Sequence, residues 1–249
     1  MNILKTSCRR IEFGFHARER LSRHVLFMSA FAFFIFVSEQ MSENANAQGY
    51  PHPFEQDPLP DGVISIEAEH YHAHTSVTND SIIHTWNLVP GTMYSGGAAM
   101  RAMPNTGLRN NGNFVTNSPR LDYHVNFHKS GVHYIVGRGA SESHDDNSFH
   151  AGIDGAGNTT SDRIDNPVNA LNPVWSGETM DFNIELQESE LAFFDVPSPG
   201  ERTINIWMRE DGFILDKFVI STSPNVLPTG FGPAESSQGR INSVRWPGG

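Results

Sequence analysis

The chain has 249 residues, with 17 Lys and Arg against 28 Asp and Glu, a formal net charge of −11 and a single cysteine. A chain this acidic lacks the basic surface that nucleic-acid binding requires, so DNA and RNA are excluded as partners. Only 18% of the residues are charged and 38% are hydrophobic. That balance is typical of a folded domain and excludes a coiled coil or a disordered acidic tail.

Residues 1–47 have the pattern of an export signal. Five arginines lie within 9–23, an apolar run of 13 residues follows at 25–37, and 45–47 read Ala-Asn-Ala. These are the basic region, the hydrophobic region and the small-residue cleavage site of a signal peptide. The apolar run is shorter than the roughly 20 residues of a membrane-spanning helix. We therefore predict cleavage, a secreted or periplasmic protein, and no membrane attachment afterwards.

The rest of the chain divides into three parts by composition. Residues 48–61 carry four prolines, which favour an extended leader without strand pairing. Residues 223–249 are rich in Ser, Pro and Gly and predict a tail. Between them, 62–222 is the predicted domain. Because Cys8 leaves with the signal peptide, an exported domain has no disulfide and must be stabilised by its core or by a metal.

Short strands are predicted throughout the domain. Apolar and polar residues alternate along 121–128, which is typical of a half-buried strand, and 131–138 follows after a short turn, so the two predict a hairpin. In chain order the predicted strands are 63–69, 98–103, 121–128, 131–138, 148–153, 180–186, 191–196, 202–208 and 213–220. Turn residues separate them and no long amphipathic helix occurs. The pattern predicts an all-β fold, a β-sandwich of the jelly-roll type, with a disordered or loosely ordered signal region and C-terminal tail.

Acidic residues on the first and last strands are candidate metal ligands. Glu67 and Glu69 are two positions apart, so on a strand they share a face and repel each other unless a positive group lies between them. Calcium binds carboxylate oxygens, and Asp216 would supply a third carboxylate if the last strand pairs near the first. The spacing alone is equally consistent with a calcium site and with a solvated strand face that carries two unrelated glutamates. His70, His72 and His74 also alternate, but surface histidines explain that row better than a tetrahedral metal site.

Three tryptophans within the domain are candidate sugar platforms, because flat aromatic rings stack on apolar faces. Trp175 lies among polar turn residues, where a large ring has little structural reason to be, and is the best candidate. Trp207 faces away from the core if Ile206 and Met208 face it, so it contacts either a ligand or a packed loop. Trp86 is expected to be packing.

Polar residues near two predicted turns could contribute to binding. Arg209 and Glu210 follow one strand, and Asp145, Asp146 and Asn147 precede another. An arginine can bind a carboxylate with two hydrogen bonds, including that of a uronic acid, although an internal ion pair between the loops is the better explanation. No G-x-S-x-G elbow, phosphate-binding glycine loop or H-E-x-x-H motif occurs, so no catalytic residue is assigned.

Several segments together resemble one family. They are IEAEHY, W-x-x-V-P-G, RLDYHVNFHKSGVHYIVGR, DDNSFHAGIDG, PGERTINIWMREDGFILDKFVIST and GFGPAES, in that order, spanning roughly residues 62–236. The chain resembles the C-terminal domain of family 115 glycoside hydrolases, which is similar to carbohydrate-binding modules of families 6 and 35 with a galactose-binding-like jelly roll.

The resemblance implies a jelly roll with a structural calcium held by Glu67, Glu69 and Asp216. It also implies sugar binding by loop residues at one end of the sandwich. The candidate ligand-binding residues are Trp175, Asn147, Arg209, Trp207 and Asp146. The large catalytic region of family 115 enzymes is expected to be absent, because the predicted signal runs directly into this domain.

The sequence therefore predicts an exported, non-catalytic carbohydrate-binding protein. It would be accessory to the degradation of a plant or algal polysaccharide, uronic-acid-containing ones included, and could act beside a partner glycoside hydrolase. One alternative is a polysaccharide lyase or hydrolase on the same scaffold, with His124, His128 or His150 as base. Another is a structural or protein-binding sandwich that binds no glycan.

Overall fold

The computed structural model describes residues 51–79, 81–183 and 188–239, all of which belong to one unit, Ala47–Gly249. The predicted signal peptide, 1–47, lies outside the described residues, as does 240–249 of the predicted tail. The described part folds into two β-sheets packed face to face with little helix, which confirms the predicted all-β jelly-roll sandwich.

Seventeen strands and two short helical turns make up the regular structure of these residues. The strands are β1 (Phe54–Glu55), β2 (Ile64–Glu67), β3 (Ala73–Thr75), β4 (Val77–Asn79), β5 (Ile82–Pro90), β6 (Ala98–Met103), β7 (Arg120–Phe127), β8 (Gly131–Ala140), β9 (Ser148–Ile153), β10 (Ala156–Gly157), β11 (Ile164–Asp165), β12 (Val174–Ser176), β13 (Glu178–Asn183), β14 (Glu188–Leu191), β15 (Phe193–Val196), β16 (Gly200–Met208) and β17 (Ile214–Ser221). The helical turns are the 3-10 turn Ser95–Gly97 and the short helix Phe114–Asn117.

The strands form two sheets. The first has the order β1-β7-β16-β9-β11-β13-β14, with β3 also paired to β7 and β10 to β9. The second has the order β12-β8-β17-β6-β5-β4, with β15 paired to β8 and β2 to β17. The last strand, β17, is thus central to the second sheet: β8 lies on one side of it, and β2 and β6 share the other.

The core lies between the sheets and is built by alternation. Along β7 the apolar positions Leu121, Tyr123, Val125 and Phe127 are buried in it, as the sequence pattern predicts. The opposing wall comes from β8, β17 and β2, where small residues let large rings approach. Gly137 lies so close to the Phe149 ring that a Cβ would be 2.8 Å from it. The interior is therefore close-packed without help from a disulfide.

The predicted hairpin of 121–128 with 131–138 is wrong. β7 pairs with β16 in the first sheet, and β8 pairs with β17 in the second, so the short turn between them crosses from one sheet to the other. The Gln56 side chain accepts hydrogen bonds from the backbone N–H groups of His128 and Lys129, at 2.8 and 2.9 Å. Strand alternation alone cannot distinguish such a crossover from a hairpin, because both strands bury one face.

Both segments flanking the predicted domain contact the sandwich where they are described, which corrects the expectation that the leader is unpaired. Phe54 in the leader is fully buried and pairs with Val125 in a parallel register. In the C-terminal segment, Ser236 donates its backbone N–H to the Ser65 carbonyl, and the Glu55 N–H is donated to the Ser237 carbonyl, both at 2.8 Å. The prolines of the leader flank Phe54–Glu55 and leave that dipeptide free to pair.

No helix within the described ranges is long and apolar enough to cross a membrane.

Candidate functional site

An irregularity in β17 places Asp216 beside the end of β2. The pairing of β17 with β8 shifts register between Leu215 and Lys217, so Asp216 and Lys217 both point away from the core. The Asp216 carbonyl accepts the Ala68 N–H at 2.9 Å, just past the point where β2 ends at Glu67. Bulges of this kind redirect side chains.

The three predicted metal ligands are brought together at this point, and we call Glu67, Glu69 and Asp216 the acidic cluster. All three are buried. A Cβ built on Gly96 would lie 2.9 Å from Glu69 Oε1 and 3.4 Å from Glu67 Cδ, so both carboxylates converge on the 3-10 turn. Each residue of the cluster has one buried oxygen without a hydrogen-bond partner within the described structure: Glu67 Oε2, Glu69 Oε2 and Asp216 Oδ1.

Two buried cations partly neutralise the acidic cluster. Lys217 Nζ donates to Glu67 Oε1 at 2.9 Å, and the Arg138 guanidinium forms an ion pair with Asp216. Ser95 donates its hydroxyl to Glu67 Oε1 at 2.8 Å. Three carboxylates against two cations leave one negative charge uncompensated when all are ionised.

Burial shifts the acid–base equilibria of the cluster. The pKa of Glu69 is raised to about 7, first by burial and then by the nearby charges of Glu67 and Asp216, although a backbone hydrogen bond and His70 oppose the rise. Burial likewise raises the pKa of Asp216 to about 6, against the lowering effect of Arg138. An uncompensated carboxylate that is costly to ionise is one that a divalent cation would stabilise.

The cluster fits a calcium ion in ligand chemistry. Hard cations take carboxylate oxygens, and three such oxygens are present without partners. Across residues 51–79, 81–183 and 188–239, no set of three His, Cys, Asp or Glu is already arranged as a metal cage.

Trp175, the predicted sugar platform, lies on the edge strand β12 opposite Arg138. It is half-buried, and its indole N–H donates to the Gly230 carbonyl at 3.0 Å. Gly232 packs on the ring so closely that a Cβ there would be 2.5 Å from Trp175 Cζ2. Part of the ring is therefore occupied by the C-terminal segment, and the rest reaches the surface.

Two other predicted ligand residues, Asn147 and Arg209, line a shallow cleft of about 240 Å³ at the strand ends of the first sheet. We call it the polar cleft. Its lining residues are Arg109, His144, Asp145, Asn147, Asp165, Met180, Arg209 and Glu210. Asn147 and Arg209 are themselves buried, so they present only a small surface to a ligand.

Glu210 is the centre of the hydrogen bonds that shape the polar cleft. Its carboxylate accepts the Asn147 N–H at 3.0 Å and the Ser148 hydroxyl at 2.7 Å. Arg209 Nη1 lies 2.7 Å and Arg109 Nε 2.9 Å from the other carboxylate oxygen. Arg209 therefore pairs with its sequence neighbour Glu210, not with the other loop as the sequence suggested, and this pair fixes the arginine against the cleft wall.

The remaining charges of the polar cleft are also balanced internally. Arg109 Nη2 lies 2.7 Å from Asp145 at the open side. Burial raises the pKa of Asp165, and Glu210 adds to the rise, while Arg209 and a hydrogen bond from Asn147 oppose it. Two arginines therefore face three carboxylates, so the cleft carries no excess positive charge.

Trp207 and Asp146 do not reach a ligand-accessible surface. Trp207 is 0% exposed, and Phe114 of the short helix packs edge-on against it with ring centroids 5.4 Å apart. Of the two alternatives for Trp207, the packed loop is therefore the one observed. Asp146 is buried and accepts the backbone N–H and the hydroxyl of Ser143, at 2.6 and 2.9 Å, so it holds the loop before β9 in place.

The histidines considered as catalytic bases are engaged within the fold. His150 is fully buried: its Nε2 donates to the Asn110 carbonyl at 2.8 Å, and its Nδ1 accepts the Arg163 N–H at 3.0 Å. His128 Nε2 lies 3.0 Å from Glu55, and His124 stacks on a neighbouring histidine ring at 4.5 Å. None of the three lines the polar cleft.

Sequence reasoning missed several residues that shape these sites. Arg109, Asp165 and Met180 line the polar cleft but lie in segments without a recognisable motif. Arg138 and Lys217 neutralise the acidic cluster, and only Lys217 carried a signal, since it directly follows the predicted ligand Asp216.

Comparison with known sequences identifies the domain that carries both sites. A sequence profile described as the glycosyl hydrolase family 115 C-terminal domain matches residues 60–235, most of the chain. The chain belongs to this family. The match includes the acidic cluster, the polar cleft and the C-terminal segment that packs on Trp175, so these are parts of one family 115 C-terminal domain.

The chain is 25% identical over 193 residues to the uncharacterized protein P23 of Formosa agariphila, covering 70% of this chain and 47% of P23, so it spans about half the length of that relative.

Among solved structures, one similar chain is the C-terminal family 6 carbohydrate-binding module of LamC, a marine laminarinase from Zobellia galactanivorans. It is 17% identical with a TM-score of 0.40, over 64% of this chain and 99% of that one. Another is the family 35 module from Paenibacillus barcinonensis, at 14% identity and a TM-score of 0.41, over 64% and 98% of the two chains.

Proposed function

We propose that this family 115 C-terminal domain is a non-catalytic carbohydrate-binding protein, and that the polar cleft contacts the sugar. The observation that carries the proposal is the cleft itself, where Glu210 holds Asn147, Arg209 and Arg109 in fixed positions. Polar groups that are already ordered cost little entropy when they bind hydroxyl groups. Membership in a glycoside hydrolase family supports a role accessory to polysaccharide degradation, beside a partner enzyme.

The charge balance of the polar cleft favours a neutral sugar. Each arginine is already paired with a carboxylate, so a uronic acid would compete with Glu210 and Asp145 for guanidinium groups. Sugar hydroxyls can instead accept from arginine and donate to a carboxylate at the same time. We therefore place neutral plant or algal polysaccharides ahead of uronic-acid-containing ones.

Affinity electrophoresis with soluble polysaccharides tests the proposal. The probes are xylan, β-1,3-glucan, galactan and alginate, each immobilised in the gel. We expect retardation by at least one neutral polysaccharide, and its loss in Arg109→Ala, because Arg109 is the most exposed arginine of the cleft. The matched control is Arg202→Ala, which removes a surface arginine paired with Asp154 elsewhere. Equal retardation of both variants would contradict the assignment of the cleft, and release of reducing sugar would contradict the non-catalytic role.

We further propose that calcium binds the acidic cluster. Glu67, Glu69 and Asp216 would hold the ion, which would supply the positive charge that Lys217 and Arg138 do not provide. The oxygens without partners support this proposal. Isothermal titration with calcium chloride after chelator treatment should give binding in the wild type and none in Asp216→Asn, while magnesium serves as the competing ion.

Export is the third part of the proposal and rests on the pattern of residues 1–47. Expression in a bacterial host followed by fractionation should place the protein outside the cytoplasm. N-terminal sequencing of that material should begin at or near Gln48. A cytoplasmic product that retains Met1 would contradict it.

A further inference from the structure

An exposed aromatic ring stands beside Trp175 on the outer surface of the second sheet. Phe231 is 53% exposed and Met93 is 46% exposed, and both lie next to the buried Arg138. The guanidinium carbon is 5.0 Å from the centre of the Phe231 ring, and Arg138 Nη1 donates to the Met93 carbonyl at 3.2 Å. We call Trp175, Phe231 and Met93 the aromatic patch.

The turn that carries Phe231 is held firmly. Gly230 and Gly232, on either side of it, have φ angles of 58° and 74°, which residues other than glycine rarely adopt. The Gly230 carbonyl accepts two hydrogen bonds at 3.0 Å, one from the Trp175 indole and one from Arg138 Nε. These two bonds, from the half-buried Trp175 and the buried Arg138, fix the Gly-Phe-Gly turn with the Phe231 ring exposed to water.

The aromatic patch carries little charge and is small. Arg138 lies beneath it but is neutralised by Asp216. A stable protein interface buries roughly 800 Å² on each partner, far more than three side chains can supply. The apolar face of a pyranose ring is of a size that one or two aromatic rings cover, and stacking on it needs no charge.

We propose that the aromatic patch is a second carbohydrate-contacting surface, on which Phe231 and Trp175 stack on pyranose rings of a neutral polysaccharide. The inference rests on the proposed function of the polar cleft and extends it. Ser176, the residue after Trp175, donates its hydroxyl to the carbonyl of Asp165, which lines the cleft, at 2.5 Å. This bond joins the strand that carries Trp175 to a strand that ends at the cleft, so a polysaccharide chain would have two separate places to contact the same domain.

Substitution of Phe231 tests this surface directly. We measure dissociation constants by affinity electrophoresis for wild type, Phe231→Ala and Phe231→Trp against the neutral polysaccharide that retards the wild type most. Loss of one stacked ring should raise the dissociation constant about tenfold in Phe231→Ala. Phe231→Trp should bind at least as well as wild type, because the larger ring keeps the stacking. Leu227→Ala is the control, since Leu227 is 59% exposed in the same segment but outside the patch.

The possible results separate this inference from the proposed function. If Phe231→Ala binds like wild type while Arg109→Ala does not, the cleft is the site and the aromatic patch is not. If the wild type binds no polysaccharide in the panel, both proposals fail. If Phe231→Ala abolishes concentration-dependent self-association in sedimentation instead of altering glycan affinity, the patch is a protein contact and the inference is overturned. Equal melting temperatures in all variants exclude misfolding as the cause of any loss.

Discussion

The state of His150 distinguishes a structural histidine from a catalytic base, and it can be measured through stability. Both ring nitrogens are used inside the fold, and the Phe114 ring stacks on the imidazole at 3.9 Å and 9°. Burial lowers the pKa of His150 to about 4, and Arg209 and Arg163 lower it further, while the bond to Asn110 opposes them. His150 is therefore neutral at pH 7.

The size and sign of the effect on stability follow from this shift. Between pH 6.5 and pH 4 the unfolded chain binds a proton at His150 and the folded protein does not, so the free energy of unfolding falls as the pH falls. The shift from 6.5 to about 4 corresponds to a loss of about 3 kcal/mol across that range. Arg209 and Arg163 stay charged throughout and do not alter the sign.

Urea unfolding at pH 7, 5.5 and 4 provides the measurement, with His150→Gln as the reference protein. Glutamine keeps a donor and an acceptor but does not titrate. Wild type should lose about 3 kcal/mol relative to His150→Gln between pH 7 and pH 4, and the carboxylates of the acidic cluster cancel because both proteins contain them. A difference that does not change with pH would show that His150 is accessible and protonated when folded, which would revive its candidacy as a base.

Three further predictions concern the acidic cluster, the leader and the C-terminal segment. Calcium at about 100 times its dissociation constant should stabilise the chelator-treated protein by about 2.7 kcal/mol, roughly 5–10 °C in melting temperature, and Glu69→Gln should reduce that gain in thermal-shift measurements. Phe54→Ala should cost about 3–5 kcal/mol in urea unfolding, because the leader ring is buried in the core. Glu235→Ala should lower the pKa of His70 in NMR titration, since the hydrogen bond that His70 donates to Glu235 is the largest cause that raises it; an unchanged His70 pKa would contradict that contact.

Much of the sandwich could be predicted because alternation is a local property. The predicted strands 98–103 and 148–153 match β6 and β9 residue for residue, and six others are found with shifted ends. Of the predicted strand 180–186, residues 180–183 lie in β13 and 184–186 lie outside the described residues. Which strands pair with each other was harder to predict from the sequence. Whether 131–138 folds back on 121–128 depends on Gln56, far away in sequence, which binds the turn between them. Long-range contacts of this kind leave no periodic signal.

The attachment of the C-terminal segment was likewise not predictable from local sequence. Composition describes 223–239 as a linker, since Ser, Pro and Gly lack a periodic apolar face. Its attachment depends on single contacts, such as the Ser236 hydroxyl accepting the Ser65 N–H at 3.0 Å and Glu235 reaching His70 at 2.8 Å. Each contact joins residues more than 160 positions apart, and no window of sequence contains both partners.

The candidate site was predictable where a motif supplied it. The E-x-E that begins at the last residue of β2 and the aspartate of β17 do converge, because antiparallel pairing sets Glu67 opposite Lys217, next to Asp216. The positive charges beside the acidic cluster, on Lys217 and Arg138, were not predicted. Arg138 comes from β8, on the other side of β17, and its role depends on the register of that pairing.

Arg138 links the two proposed functions of this face of the domain. It bonds to Asp216 in the acidic cluster, to the carbonyls of Met93 and Gly230, and lies against Phe231. A buried guanidinium without its carboxylate is strongly destabilised. Loss of the Asp216 charge should therefore shift Arg138 and disturb the turn at Gly230, which presents the Phe231 ring. Asp216→Asn should consequently abolish calcium binding and weaken stacking on the aromatic patch, whereas Phe231→Ala should weaken only the stacking. That asymmetry is expected if the cluster supports the patch, and it would be absent if the two were independent.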